Sequence, residues 1–377
     1  MPDASKHDLE EEHEQGQKPG GLLRARRGCN QNCLFCHRRA LEDPEAAVEL
    51  GADRILELVE ESAELGAREW HIIGGGEPLF RSDVTFELMR RIKRHGMYGY
   101  LNTNFSLLDT GMIDTLVDLR WDYIKISLHG ADAAVHDRLT AVPGTFERVM
   151  RALDAVKHRK DLVGGDRPRL EFGPVVTRAN FRQFPEMVRL AHRYGVAEFK
   201  PQSMTIYTSH CEDLRLDETE SRAFQRLIPE ISDLCLRFGI STNISDFLDP
   251  DLIHKTDRMD EVILKKESAG GAEERKEEPG NPFFRLGCYE PWFHLTIWAN
   301  GAAGPCGFTE WSLCDDIRQK SLKEVWLGDT FNGIRETILR GGLPGFCANC
   351  VSTVVVHNRE IQRELIRQGA PASCGTR

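Results

Sequence analysis

Short apolar runs of β character alternate along the chain with longer stretches whose apolar residues recur every three to four positions. The runs fall at 22–27, 70–73, 98–102, 123–128, 170–176 and 197–202, and the amphipathic stretches at 52–65, 84–94, 112–119, 146–158 and 181–194. Strand followed by helix, repeated, is solved most simply by parallel strands joined by right-handed crossovers. Six such units predict an α/β fold, a parallel sheet with helices outside, curved into a partial (β/α)6 TIM-like barrel. Sheets of this kind gather their catalytic residues at the carboxyl ends of the strands, and Cys29, Glu77, Asn104 and Ser127 stand at or just beyond such ends.

The pattern breaks in two places. Residues 1–21 are polar and charged, as in Glu10-Glu11-Glu12-His13-Glu14, and read as a solvated tail. After the core segment 22–215 comes a connector, 216–284, with a helical pattern at 218–238. It continues as a run from Lys265 to Gly280 that mixes glycine, alanine and both charges without apolar period, the composition of a linker. The remaining segment, 285–377, reads as a second, smaller domain.

At 377 residues and 40% hydrophobic content the chain fills a sizeable core plus that second unit. A net charge of −10 argues against a nucleic-acid partner, because neutralising phosphates takes a basic surface. No apolar run approaches the ~20 residues that span a bilayer, so no membrane partner is expected. Eleven cysteines without a secretory apolar stretch at the start point to a reducing, cytoplasmic setting and to ligation of a metal centre over disulfides.

Three of those cysteines lie in Cys29-Asn30-Gln31-Asn32-Cys33-Leu34-Phe35-Cys36. Three thiolates in a CxxxCxxC spacing leave a fourth iron of a cubane cluster without a protein ligand. The motif alone also allows a structural zinc loop with a fourth ligand elsewhere, for instance His37. The spacing, followed by Gly74-Gly75-Gly76-Glu77-Pro78 after an apolar run, resembles the radical SAM superfamily. That resemblance implies that S-adenosylmethionine (AdoMet) chelates the open iron of a [4Fe-4S] cluster held by Cys29, Cys33 and Cys36. It further implies one-electron cleavage to methionine and a 5′-deoxyadenosyl radical that removes a substrate hydrogen, fed by a reducing partner such as flavodoxin or ferredoxin.

Carried over by position, Phe35 lies near the adenine, and Gly75, Gly76 and Glu77 receive the methionyl amino group. Asn102, Thr103 and Asn104 end the third strand, and Ser127 the fourth, within reach of the ribose or carboxylate. In Ser127-Leu128-His129-Gly130, His129 replaces the family's common Asp. Thr140 stands where an Arg is frequent, which leaves Arg138 for the ligand carboxylate, although Arg138 reads equally as a surface helix residue. Val175 and Val176 match an apolar adenine contact, and core packing explains them as well.

The second cysteine set is Cys288, then Cys306 after Gly301, then Cys347-Ala348-Asn349-Cys350. A hairpin with a glycine turn brings Cys306 toward Cys288, and a CxxC at a helix start completes four ligands, which on spacing alone suit zinc or an iron–sulfur cluster. With Ser321-Leu322-Lys323-Glu324-Val325-Trp326, this region resembles the SPASM/Twitch extension of radical SAM enzymes. That implies a small α+β domain with a second [4Fe-4S] cluster held by Cys288, Cys306, Cys347 and Cys350. Cys314 and Cys374 are spare and either could substitute as a ligand, but with Cys211 and Cys235 they read first as thiols outside any metal site.

A fully ligated second cluster suits a one-electron relay that completes a net oxidation of a small molecule such as a sugar, cyclitol or nucleoside. The base it needs is sought among Lys125, His129, Arg178 and Lys200. The alternative is a maturase that modifies a ribosomal peptide, against which stands the short tail, with no room for a peptide-recognition domain. A third reading, of another class, is a zinc-stabilised binding protein without turnover.

Overall fold

The computed structural model describes residues 28–36, 49–206, 209–253, 286–307, 309, 313–350 and 352–367. The polar tail, the expected strand at 22–27, His37, the charged linker and Cys374 lie outside the described residues.

Strands β1 Glu69–Ile72, β2 Tyr98–Thr103, β3 Tyr123–Ile126, β4 Arg169–Phe172, β5 Glu198–Phe199 and β6 Ser241–Thr242 form one parallel sheet in sequential order. Around it run helices α1 Ala52–Glu64, α2 Ser82–Arg94, α3 Thr110–Asp118, α4 Ala133–Thr140, α5 Thr145–Val163, α6 Phe184–Arg193 and α7 Glu218–Phe238. Side chains alternate across a strand, so the sheet sorts its residues between two faces. Leu101, Ile124, Leu170, Phe172 and Phe199 pack with Met89, Leu153, Met187 and Phe224 of the helices in one buried core. Burying each of these large side chains contributes about 1.5–3 kcal/mol relative to exposure.

The other face is polar. Asn102, Lys125, Glu171 and Glu198 stand in register on neighbouring strands. Lys125 Nζ lies 3.0 Å from Glu171 Oε1, and Tyr123 donates its hydroxyl to Glu171 Oε2 at 2.6 Å. Helices cover the apolar side only, which makes the sheet an open partial barrel with a hydrophilic inner wall.

Three elements depart from the expected pattern. Residues 218–238, expected in a connector, are the helix α7 of the last β/α unit and hand the chain to β6, which pairs parallel with β5. An Asp217/Glu220 capping box starts α7, and Gly239 at φ +66° stops it. A two-residue strand of Ser and Thr carries no apolar alternation, so only its partner reveals it. Helix α4, capped by Asp132, is likewise too short for periodicity to mark.

The C-terminal unit opens with an antiparallel hairpin, β7 Thr296–Ile297 and β8 Ala302–Gly304, turning at Gly301 with φ +88°. Strand β9 Asp315–Asp316 adds to it, followed by α8 Leu322–Trp326, α9 Asp329–Leu339 and α10 Ser352–Arg367. The unit docks on α1: Arg54 donates to the carbonyls of Ile317 at 3.1 Å and Lys320 at 3.2 Å, and Leu322 N donates to Glu61 at 2.6 Å. Ala303, Ile317, Leu322, Val325 and Phe331 belong to the same buried core as the sheet. Among the described residues no helix is long and apolar enough to cross a membrane.

Candidate functional site

At the carboxyl ends of the strands lies a cavity of ≈ 940 Å³. Cys29, Cys33 and Cys36 share its wall with Gly74, Gly76 and Glu77 after β1, Asn102 of β2 and Asn104 just beyond it, and Ser127 after β3. Three other segments pin the cysteine loop. Glu77 N donates to Gly28 O at 2.7 Å, Asn32 N and Leu34 N donate to the last carbonyls of α4 at 3.0 and 2.9 Å, and Asn104 Nδ2 donates to Asn30 Oδ1 at 2.7 Å. A loop of irregular backbone is thereby held with its three thiols on one cavity.

Glu77 is 2% exposed. Its Oε1 accepts from Thr103 Oγ1 at 2.5 Å and Leu79 N at 3.1 Å, and its Oε2 from Asn104 N at 2.7 Å. A carboxylate offers about four acceptor sites, so three fix its position and one remains for a donor in the cavity. Burial pushes the carboxyl up to about 7, against the pull of those three donors.

Another part of the lining is less polar. His129, buried just after β3, meets Phe35 edge-on with ring centroids 4.7 Å apart, and Val142, Val175 and Met204 complete that side. Val175 N donates to His129 Nδ1 at 3.3 Å, and Asn180 clamps the carbonyls of both residues at 2.9 Å. An Nδ1 that accepts puts the ring proton on Nε2. Burial, reinforced by His136 and Lys125, holds the imidazole well below its ordinary range, so His129 is neutral at pH 7.

Most sequence-derived positions meet in this cavity: Phe35, Gly76, Glu77, Asn104 and Ser127 line it together with the three cysteines. Arg138 does not. The face of α4 turned inward carries His136, Leu139 and Thr140, and Arg138 stands exposed on the other side. Of the four basic residues considered as proton acceptors only His129 lines the cavity. Lys125 pairs with Glu171, Lys200 with Glu198, and Arg178 with Asp217 and Glu220. The stretch Gln202-Ser203-Met204-Thr205 also lines it, and nothing in its composition marks it.

The glycine turn divides unequally. A Cβ on Gly74 would lie 2.1 Å from the carbonyl oxygen of Gly76, whereas one on Gly75 would meet nothing within 4 Å. Gly74→Ala is therefore expected to distort the cavity and lower AdoMet affinity at least tenfold in equilibrium binding, ~1.4 kcal/mol. Gly75→Ala should bind as the unsubstituted protein does, and equal effects would contradict the turn geometry.

The second cysteine set also converges. Cys288, Cys306, Cys347 and Cys350 line one small cavity with Pro291, Pro305, Ile338 and Phe346, where the hairpin, the turn Gly345–Asn349 and α10 meet. Burial pushes the Cys288 thiol far up, so its thiolate needs a cation for company. Among the described residues no three His, Cys, Asp or Glu side chains close on a point tightly enough for a single metal ion. Iron–sulfur clusters spread their thiolates over several irons. A pinned loop with three thiols, a backbone turn that tolerates no side chain at Gly74, and a carboxylate with one acceptor site to spare fit a cluster with a ligand that carries an ammonium group.

Two family models match the chain: the radical SAM superfamily over residues 25–165 and the SPASM iron–sulfur cluster-binding domain over residues 288–351. An AdoMet-dependent heme synthase of Methanosarcina barkeri is 25% identical over 321 residues, 85% of this chain and 85% of that protein. A PqqA peptide cyclase of Granulibacter bethesdensis is 28% identical over 192 residues, 51% of this chain and 49% of that protein. Among solved structures, SuiB of Streptococcus suis bound to its precursor peptide SuiA superposes with a TM-score of 0.56 at 17% identity, over 84% of this chain and 65% of that chain. The chain thus spans about half of that cyclase and just under two thirds of SuiB. It belongs to the radical SAM superfamily of enzymes, with a radical SAM domain followed by a SPASM-type iron–sulfur cluster-binding domain.

Proposed function

We propose that this enzyme is a maturase that modifies a peptide by hydrogen abstraction. Cys29, Cys33 and Cys36 hold the AdoMet-binding [4Fe-4S] cluster, and Cys288, Cys306, Cys347 and Cys350 hold an auxiliary one. A flavodoxin or ferredoxin supplies the electron. Bound in the cavity, the reduced cluster and AdoMet supply a 5′-deoxyadenosyl radical. The observation that carries the reading is the single cavity of ≈ 940 Å³ that joins the three thiols to the ends of the strands. It lies at the upper end of ligand-site volumes, with room for a substrate residue beside the cofactor.

The chain's own groups supply orientation. Glu77 uses its fourth acceptor site for the methionyl ammonium, while Asn102, Asn104 and Ser127 offer amide and hydroxyl groups to the ribose and carboxylate. Neutral His129, its Nδ1 held by Val175 N, carries its proton on Nε2 and brings no charge to the less polar wall. A peptide substrate is favoured by the PqqA peptide cyclases among the relatives and by the likeness to SuiB with its precursor peptide. It replaces the small-molecule expectation. The heme synthases, matched over 80–85% of this chain, favour a second reading with a tetrapyrrole substrate.

Anaerobic incubation with AdoMet and a reductant, with candidate precursor peptides in one arm and a porphyrin precursor in the other, separates the two. The expected result is 5′-deoxyadenosine together with a peptide lighter by two hydrogens. Stimulation by a porphyrin precursor and by no peptide would reverse the choice of substrate. The auxiliary site has its own test: Cys347→Ala should leave AdoMet cleavage near its normal rate but stop product formation, as a relay requires. Product formed at an unchanged rate would remove the relay.

A further inference from the structure

One buried polar group in the cluster loop has no partner. Gln31, midway between Cys29 and Cys33, is 7% exposed and lines the cavity. Its Oε1 faces Cys33 Sγ at 3.6 Å with the thiol as donor, and its Nε2 has no hydrogen-bond partner. The neighbouring amide is engaged elsewhere: Asn30 donates to Ser106 Oγ at 2.8 Å and accepts from Asn104. Buried N–H groups are rarely left unpaired.

We propose that the Gln31 amide donates a hydrogen bond to the sulfur of Cys33 once that cysteine ligates iron, and that this bond raises the cluster's reduction potential. The inference rests on the cluster site proposed above. Iron takes the thiolate, so ligation removes the proton that now bridges Cys33 to Gln31 Oε1 and leaves sulfur an acceptor only. An amide oxygen facing a thiolate is repelled. A half-turn of the terminal amide exchanges its two ends in the same volume and presents N–H to sulfur. That one rotation satisfies both the idle Nε2 and the new acceptor. Donors to cluster sulfurs spread their negative charge and ease reduction, and hydrogen bonds of this kind are among the determinants of cluster potential.

The test compares the reconstituted enzyme with Gln31→Met, which keeps the length of the side chain and removes the donor. Iron content is measured alongside a redox titration of the electron paramagnetic resonance signal that shifts on adding AdoMet. The expected result is full iron in both and a more negative midpoint in the variant. At the midpoint of the unsubstituted enzyme, its reduced-to-oxidised ratio should fall about tenfold, ~59 mV for one electron. Full iron with an unchanged midpoint overturns the inference. If the variant fails to hold the cluster, a Gln202→Met protein carrying 15N in its glutamine amides decides. Pulsed spectra of the same signal should show a nitrogen coupling, and its absence overturns the inference. An unsubstituted protein with no AdoMet-responsive signal at all would instead overturn the cluster assignment beneath it.

Discussion

Cys33→Ala is expected to reduce AdoMet cleavage to background, with 5′-deoxyadenosine no longer detected over a no-enzyme control. The magnitude follows from how the loop is held. Asn32 N and Leu34 N, on either side of Cys33, are tied to the carboxyl end of α4 at 3.0 and 2.9 Å, and Cys36 N donates to Cys33 O at 3.1 Å. The backbone cannot slide to bring a neighbouring thiol into the vacated position, and two thiolates hold a cubane poorly. The fold itself should survive, because Cys33 is not part of the buried core that unites sheet and helices. Iron content should fall by about half in the variant while thermal unfolding moves little, since the auxiliary site is separate. Cleavage at an undiminished rate would sink the assignment of this loop. About four irons and one zinc per unsubstituted chain, in place of about eight irons, would make the C-terminal site structural.

Glu77 carries the second large effect, and it is twofold. Glu77→Ala removes the acceptor for Thr103 Oγ1, Asn104 N and Leu79 N at a position only 2% exposed. Each buried donor left unpaired costs about 1–3 kcal/mol. With the turn after β1 and the end of β2 relaxing in part, we expect a loss of about 3 kcal/mol in denaturant unfolding, together with loss of AdoMet binding. A change below ~0.5 kcal/mol, typical of surface substitutions, would show that the network relaxes freely.

Glu77→Gln isolates the titration. Burial raises the carboxyl from 4.5 to about 7 in the folded protein, so between these values the native state holds a proton that the unfolded chain has released. Folding stability from this group is therefore fully present below pH 4.5 and is lost as pH rises through 7. Each tenfold gain in proton affinity on folding is worth about 1.36 kcal/mol, so the pH-dependent part comes to about 3 kcal/mol. Without AdoMet, the stability difference between Glu77→Gln and the unsubstituted protein should move in favour of glutamine across that window. Parallel curves would show that the three donors cancel the cost of burial. Added AdoMet should flatten the wild-type slope, because a ligand ammonium favours the carboxylate.

The barrel was legible wherever an element was long enough to show its period. Helices α1, α2, α3, α5 and α6 fall within a few residues of the amphipathic stretches, and α7 coincides with the helical pattern at 218–238. What periodicity could not show is that α7 and β6 belong to the sheet. Ser241–Thr242 is held by pairing with Glu198–Phe199, a relation between segments some forty residues apart. Arg138 went astray for the same reason in miniature: motif spacing put it near the ligand, but the inward face of α4 is set by what His136 and Leu139 pack against.

By itself the amino-acid sequence determined the family, since cysteine spacing and the glycine–glutamate turn are local properties that a loop carries wherever it lies. It also determined the alternation that makes a parallel sheet, because apolar period is a property of each segment alone. The folded structure decided what depends on the path of the backbone or on distant segments meeting. The Gly74–Gly76 contact makes Gly74 the demanding glycine and Gly75 the permissive one. Pairing of β3 with β4 ties Lys125 to Glu171 and Tyr123 on the inner wall, and leaves His129, neutral and clamped by Val175 and Asn180, on the cavity. The unpaired Nε2 of Gln31 exists only because the cysteine loop is buried against α4 and β2, where water cannot supply the missing bond. Burial and hydrogen-bond satisfaction are properties of the packed chain, and no residue type announces them in advance.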